Sequence, residues 1–135
     1  MREIPRGARG TFSLIVEPEH LANQFKDAML PPVFSTPVMV MVLENAALNA
    51  IRAYLEPGES AVGTRVDVRH LAATPAGMRV VGEAEVTGVE GRRISFRVSA
   101  RDEREEIGAG SHERFVIDMA KFARHLAAKQ GHTGR

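Results

Sequence analysis

The sequence predicts an α+β domain in which a curved antiparallel β-sheet wraps around one long central α-helix. Three observations favour this fold class. The segment from residue 38 to 54 is apolar almost all the way round, so as a helix it needs cover on most sides. The segments after it alternate apolar and polar residues, as strands do when one face covers a core. Short turns join these segments, which makes neighbouring strands antiparallel.

The elements follow in a clear order. A β-rich segment, Thr11–Glu17, comes first, and residues 18–30 are mixed, with room for one helical turn. Thr36-Pro37 is typical of a helix start, with Thr36 as N-cap and the proline in the first turn. The helix then runs without proline or glycine to Tyr54, and Pro57-Gly58 closes it.

Four strands are predicted after the central helix. Turn residues at 74–77 and at Glu90-Gly91 separate them. In the first of the four, the even positions form the apolar face: Val62, Thr64, Val66, Val68, His70 and Ala72. Asp118 is suited to cap a terminal helix. The expected strands cover residues 62–73, 78–86, 94–101 and 105–117.

Composition excludes several classes of protein. The 135 residues fit a single domain, with a core expected at about residues 10–125 and frayed termini, including the chain from Gly131 onward. A net charge of +1 argues against a nucleic-acid partner. Without cysteine there is no disulfide, thiolate zinc site or cysteine nucleophile, and the histidines lack metal-ligand spacing, so we expect no metal.

No segment suits a membrane or an export signal. The longest uncharged run, residues 28–43, contains three prolines and is shorter than the roughly 20 apolar residues of a bilayer span. The N-terminus has no apolar stretch of the kind found in secretory signals. We therefore expect a cytoplasmic protein without a membrane partner.

The poorly covered apolar helix further suggests a dimer.

Glu44 is the most unusual residue of the central helix. It shares a helix face with apolar side chains, namely Val40, Met41, Ala47, Leu48 and Ile51. A carboxylate in such surroundings needs either a proton or a partner charge. One interpretation is a structural salt bridge to a strand arginine, and the other is a group that takes part in chemistry.

His70 is the second unusual residue, because it lies on the apolar face of its strand. It is either a core histidine satisfied by a backbone carbonyl or a chemical group. Glu44 and His70 point into one core from facing elements, and such a pair is suited to acid/base chemistry.

Thr36 has a structural role as N-cap, but its hydroxyl also stands where free helix N–H groups converge, which suits an oxyanion or a water. Thr36 and Glu44 are eight residues apart, about 12 Å along a helix. If both act on one substrate, a dimer that places Thr36 of one subunit near Glu44 of the other solves the geometry.

Two weaker candidates are Gly63 and Arg114. Gly63 lets a backbone N–H approach a ligand closely, although by residue type alone a bulge or a strand start is the better explanation. Arg114 is able to hold a carboxylate or a phosphate, and a surface ion pair is the simpler interpretation.

The order of elements resembles the hotdog fold, and the sequence resembles the fluoroacetyl-CoA thioesterase family of acyl-CoA thioesterases over residues 10–125. The similar stretches are Val33–Thr36 leading to Glu44, Tyr54–Glu59, Gly63–His70, Ala72–Pro75, Val89–Arg93, Arg97–Ala100, Glu106–Gly108 and His112–Arg114 to Phe122.

The resemblance implies a catalytic triad of Thr36, Glu44 and His70, with substrate or CoA contacts at Gly63 and Arg114. It implies hydrolysis of an acyl-CoA thioester by a homodimer or higher even oligomer, without a cofactor, because CoA is part of the substrate. By this analogy His70 is a general base or acid, Glu44 activates water or attacks the carbonyl, and Thr36 assists.

One segment departs from the family pattern. The family's namesake has a phenylalanine-rich lid, whereas residues 23–32 here contain only Phe25, with Asp27 and Leu30 expected nearest the site. We therefore expect a small or medium acyl group rather than fluoroacetyl specificity.

Two other functions remain open at this point. One is a non-catalytic hotdog protein that binds acyl-CoA, and the other is an enoyl-CoA hydratase, although the central helix lacks the Asp and His of such enzymes.

Overall fold

The computed structural model describes residues 1–131, so the end of the predicted frayed C-terminus, residues 132–135, lies outside the described residues. Five antiparallel strands form one sheet in the order β1-β3-β4-β5-β2. This architecture confirms the predicted α+β class. The strands are β1 (Arg9–Ile15), β2 (Glu59–His70), β3 (Arg79–Glu90), β4 (Arg93–Arg101) and β5 (Glu106–Asp118).

The central helix α2 (Thr36–Ile51) packs across β1, β3 and β4. Its buried residues form the core together with alternate residues of the strands. The approach is close because Gly10 has no side chain: a Cβ there would collide with the backbone of Ala46 and Ala50. The helix ends three residues earlier than predicted, since Arg52–Tyr54 form a 3-10 turn.

Two short helical turns precede α2. A 3-10 turn at Pro18–His20 leads into helix α1 (Ala22–Phe25), in agreement with the predicted helical turn. At the N-terminus, Ile4 is buried in the core and the terminal amino group is 2.9 Å from Glu59 Oε2. No helix within residues 1–131 is long and apolar enough to cross a membrane.

The terminal helix α3 (Met119–Gly131) follows β5 directly. Asp118 caps it as predicted, because its Oδ1 accepts a hydrogen bond from the backbone N–H of Lys121 at 3.0 Å. All described side chains of α3 are exposed. The apolar residues predicted to line one side, Met119, Phe122 and Leu126, are therefore only partly covered.

The predicted apolar face of β2 is wrong at its beginning. A bulge at Thr64 shifts the register, so that Gly63 pairs with Arg114 and Val66 with His112. From Val66 to His70 the even positions lie on the inner face of the sheet as predicted, since Val66 pairs with the buried His112. Val62, which pairs with the exposed Phe115, and the bulged Thr64 do not. The bulge reverses the alternation, and a simple two-residue period could not reveal it.

Candidate active site

A short hydrogen bond joins Thr36 and His70 at the start of α2. Thr36 Oγ1 lies 2.8 Å from His70 Nδ1, on the last residue of β2. The prediction that Thr36 is the N-cap is wrong: Ser35 occupies that position and Thr36 is the first helical residue. Its hydroxyl is therefore directed to the histidine instead of to the helix N–H groups.

Partial burial changes the protonation of His70. Desolvation lowers the pKa of its ring, which favours the neutral form near pH 7. The ring of Phe34 meets it edge-on, with the centroids 6.4 Å apart. Its Nε2 is buried and has no hydrogen-bond partner among residues 1–131. A neutral imidazole with a free ring nitrogen is suited to accept a proton.

A mostly apolar cavity of about 410 Å³ lies beside the Thr36–His70 pair. Leu30, which the sequence predicts near the site, lines this cavity together with Lys26. Asp27 is not among the lining residues, contrary to prediction, because its carboxylate accepts a hydrogen bond from the backbone N–H of Met29. Phe25 is also outside the lining, so no phenylalanine of the segment 23–32 reaches the cavity.

Glu44 lies in a second group of polar residues, two turns further along α2. Its Oε2 is 3.8 Å from Nη1 of Arg114 on β5, so the salt bridge to a strand arginine exists. The Glu44 side chain is 36% exposed, whereas that of Arg114 is 10% exposed. Within residues 1–131 the Glu44 carboxylate accepts no hydrogen bond, so its oxygens are open to a substrate or a water.

Gly63 leaves room for the side chains of Glu44 and Arg114, because it has no side chain of its own. A Cβ at Gly63 would lie 2.6 Å from Glu44 Oε2 and 3.5 Å from Arg114 Nη1. The backbone of β2 therefore passes directly against the carboxylate. The predicted candidates Gly63 and Arg114 thus stand beside Glu44, and neither belongs to the Thr36–His70 pair.

His112 belongs to the same group, although the sequence pattern did not predict it as a site residue. The residue is 1% exposed, and its ring stacks on Phe96 with a centroid distance of 5.7 Å. Burial lowers its pKa; the carbonyl of Arg65 opposes this shift and the charge of Arg114 adds to it. The sequence contained one signal, since His112 shares the inner face of β5 with Arg114 by the two-residue period.

Two separate groups therefore exist within one chain. Gly63 and His70 are seven residues apart on β2, which corresponds to about 20 Å along the strand. Glu44 and His70, predicted to point into one core, do not meet within a single chain at that separation. Among residues 1–131, no three carboxylate or imidazole side chains are arranged to hold a metal ion.

The chain is similar to known proteins over most of its length. A family model described as fluoroacetyl-CoA-specific thioesterase matches residues 16–120. The fluoroacetyl-CoA thioesterase of Streptantibioticus cattleyicolor is 47% identical over 121 residues, which cover 86% of this chain and 87% of that relative.

Solved structures share the fold. A mutant of the fluoroacetyl-CoA-specific thioesterase, in complex with fluoroacetate and CoA, superposes with a TM-score of 0.83 at 45% identity, over 87% of this chain and 98% of its own. A thioesterase superfamily member from Thermus thermophilus gives a TM-score of 0.92 at 34% identity, over 98% and 97% of the two chains. These similarities confirm the predicted hotdog fold.

Proposed function

This chain belongs to the fluoroacetyl-CoA-specific thioesterase family and is an acyl-CoA thioester hydrolase, and we propose that it removes small or medium acyl groups at a site shared by two subunits. The observation that carries the proposal is the 2.8 Å hydrogen bond between Thr36 and His70 at the wall of the apolar cavity. An acyl chain fits an apolar wall, and its thioester would then lie beside two polar groups.

A shared site is supported by the separation of the two polar groups. The reaction needs a nucleophile beside Thr36 and His70, and Glu44 of the same chain is too far away to act there. Glu44 of the partner subunit would supply it. The catalytic triad is then Thr36 and His70 from one subunit with the carboxylate from the other.

Strand β2 offers a suitable interface. It is an edge strand of the sheet, so one side of its backbone is free to pair with another strand. Val66, in the middle of this strand, has 42% of its surface exposed. Antiparallel pairing of two copies about a two-fold axis at Asp67 would bring Gly63 of one subunit opposite His70 of the other, because the bulge at Thr64 leaves each of them three pairing positions from Asp67. Glu44, which touches Gly63, would then approach the second subunit's histidine.

The reaction follows from these positions. The carboxylate of Glu44 attacks the thioester carbonyl carbon, a C–O bond forms, and the C–S bond breaks to release CoA thiolate. Water then attacks the former carboxyl carbon of Glu44 in the resulting anhydride, the bond from this carbon to the bridging oxygen breaks, and the free acid leaves, so that Glu44 is restored with one oxygen from water. The neutral His70 accepts a proton from the attacking water and passes it on to the thiolate. Thr36 donates its hydroxyl hydrogen to the carbonyl oxygen as negative charge develops there, close to the N-terminus of α2. CoA enters only as part of the substrate, and no cofactor is needed.

The segment from residue 23 to 32 bears on the acyl group. Leu30 and Lys26 line the cavity there, and the segment's only phenylalanine, Phe25, lies outside the lining. We therefore propose a small or medium acyl group without selectivity for fluoroacetyl. Acyl-CoA substrates also support a location in the cytoplasm.

The test is thioester hydrolysis across a panel of acyl-CoA substrates from acetyl to octanoyl, with fluoroacetyl-CoA included. Wild type is compared with Glu44→Gln and His70→Ala, and Glu83→Gln on the outer face of β3 serves as matched control. We expect release of free CoA by wild type and control, and at least a hundredfold loss in the two site variants. A folded wild type that binds the panel without releasing CoA would identify a non-catalytic acyl-CoA-binding protein instead.

The oligomeric state is tested separately. Sedimentation should give about 29 kDa, twice the 14.7 kDa of the chain, or an even multiple of the chain mass. An active monomer would contradict the shared site.

A further inference from the structure

His112 is a buried ionisable residue for which the proposed reaction has no direct use. It lies on β5, opposite Val66 of β2 and Phe96 of β4, and is almost completely removed from solvent. Burying an imidazole is costly unless both ring nitrogens find partners. Both nitrogens of His112 do.

The two partners define the protonation of the ring. His112 Nδ1 is 2.8 Å from the backbone oxygen of Arg65, which only accepts hydrogen bonds. Its Nε2 is 3.1 Å from Nη1 of Arg114, which only donates. His112 is therefore the neutral tautomer with its hydrogen on Nδ1 and a lone pair directed at the guanidinium.

Arg114 is thus held by uncharged acceptors. Its Nη1 donates to His112, and its Nη2 donates to the backbone oxygen of Ala61 at 2.7 Å. The carboxylate of Glu44 lies 3.8 Å from Nη1, which is within reach of Coulomb attraction but beyond hydrogen-bond distance.

We propose that His112 is a positioning residue that acts through Arg114 and keeps the oxygens of Glu44 free to react. The imidazole accepts from one N–H of Nη1 and so holds the guanidinium at a position from which its nitrogens stay beyond hydrogen-bond distance of the carboxylate. Glu44 therefore has the positive charge of Arg114 nearby, but no direct hydrogen bond from it. The lone pairs of the carboxylate oxygens remain available for attack on the substrate. This inference rests on the proposed function, since it assigns His112 to the reaction of Glu44.

The variant that tests this inference is His112→Phe, which keeps a ring to stack on Phe96 but removes the acceptor. Arg114 should then turn to the nearest remaining acceptor, the Glu44 carboxylate, and form a direct ion pair. His112→Gln retains an amide oxygen that accepts from Arg114. His125→Phe, on the exposed helix α3, is the matched control for the exchange of residue type.

We expect His112→Phe to lower kcat on the order of 10- to 100-fold, the effect of one charge-assisted hydrogen bond, with KM changed less than threefold. His112→Gln should recover most of the lost kcat, and the control should match wild type. A purely structural role predicts instead that both His112 variants lose activity only in proportion to their loss of folded protein, as followed by circular dichroism. Equal kcat in folded His112→Phe and wild type would overturn the inference.

A second measurement needs no variant and no substrate. Nitrogen-15 NMR of the wild-type protein at neutral pH should report His112 as neutral with the hydrogen on Nδ1. A cationic ring, or a hydrogen on Nε2, would overturn the inference even if His112→Phe fails to fold. If wild type hydrolyses no acyl-CoA, the proposed function fails, while this spectrum still decides how His112 holds Arg114.

Discussion

The replacement Gly63→Ala should lower activity while leaving stability nearly unchanged, because the added Cβ meets the Glu44 carboxylate. The added Cβ would lie 2.6 Å from Glu44 Oε2, whereas ordinary contacts begin at 3.4 Å. The carboxylate must therefore move by about 0.8 Å, the difference between these two distances. Because it is the end of a flexible side chain, this shift should occur without rearrangement of the backbone.

The expected effect of this shift is a lower reaction rate. Displacement of a reacting group by about 1 Å lowers rates on the order of 100-fold, so kcat/KM of Gly63→Ala should fall by roughly 50- to 100-fold. The free energy of unfolding should change by less than about 1 kcal/mol, because alanine is favoured over glycine in a strand and Gly63 does not have a positive φ. The next atom that the Cβ would meet, Cε1 of His112 at 3.3 Å, is only slightly closer than an ordinary contact.

Gly88→Ala is the matched control. Gly88 also lies in a strand beside a bulge, and a Cβ there would meet nothing within 4 Å. Acyl-CoA hydrolysis and thermal unfolding are measured for both variants. A Gly63→Ala protein that folds and keeps wild-type kcat/KM would refute the view that Glu44 reacts beside Gly63.

Three further predictions concern the Thr36–His70 pair and the acyl intermediate. Thr36→Val should lower kcat on the order of 10- to 100-fold, because the hydroxyl that bonds to His70 is lost, while Thr36→Ser should retain most activity; equal kcat in both variants would contradict this role. Because water attacks the Glu44 carbon of the anhydride, turnover in oxygen-18 water should label the Glu44 side chain, detected by peptide mass spectrometry, whereas label found only in the released acid would contradict this step. Because burial lowers the pKa of His70, the acid limb of kcat/KM should have its midpoint below the ordinary histidine value of about 6.5. The folded state binds this proton less readily than the unfolded chain, so the stabilising contribution is present above about 6.5 and should decline as the pH falls below it. A melting temperature that rises between pH 7 and 5 would contradict this sign.

The fold was predictable because its signals are local and repeated. The apolar helix, the alternating strands and the Asp118 cap all follow from periodicity and turn residues. The bulge at Thr64 was not predictable, because it changes the pairing of β2 with β5 without leaving a mark in the apolar pattern. The start of α2 was misplaced by one residue for a similar reason, since Ser35 and Thr36 are both suitable N-caps and only their tertiary partners distinguish them.

The candidate site was predictable in part. Glu44 and His70 stand out as polar residues among apolar neighbours. Their separation within one chain did not follow from the sequence, because helix and strand periods define faces but not distances along them. His112 was missed because its role depends on the cross-strand neighbours Arg65 and Ala61, whose backbone oxygens complete the arrangement around Arg114.

Mixing two inactive variants tests the shared site most directly. Glu44→Gln and His70→Ala are unfolded together in equal amounts, refolded so that subunits exchange, and assayed for acyl-CoA hydrolysis. Half of the resulting dimers would combine the two variants, and each would contain one site with an intact Thr36, His70 and opposing Glu44. Activity should therefore return to about a quarter of the wild-type value. If the mixture is no more active than the separate variants although mixed dimers form, the three residues do not act across a subunit interface.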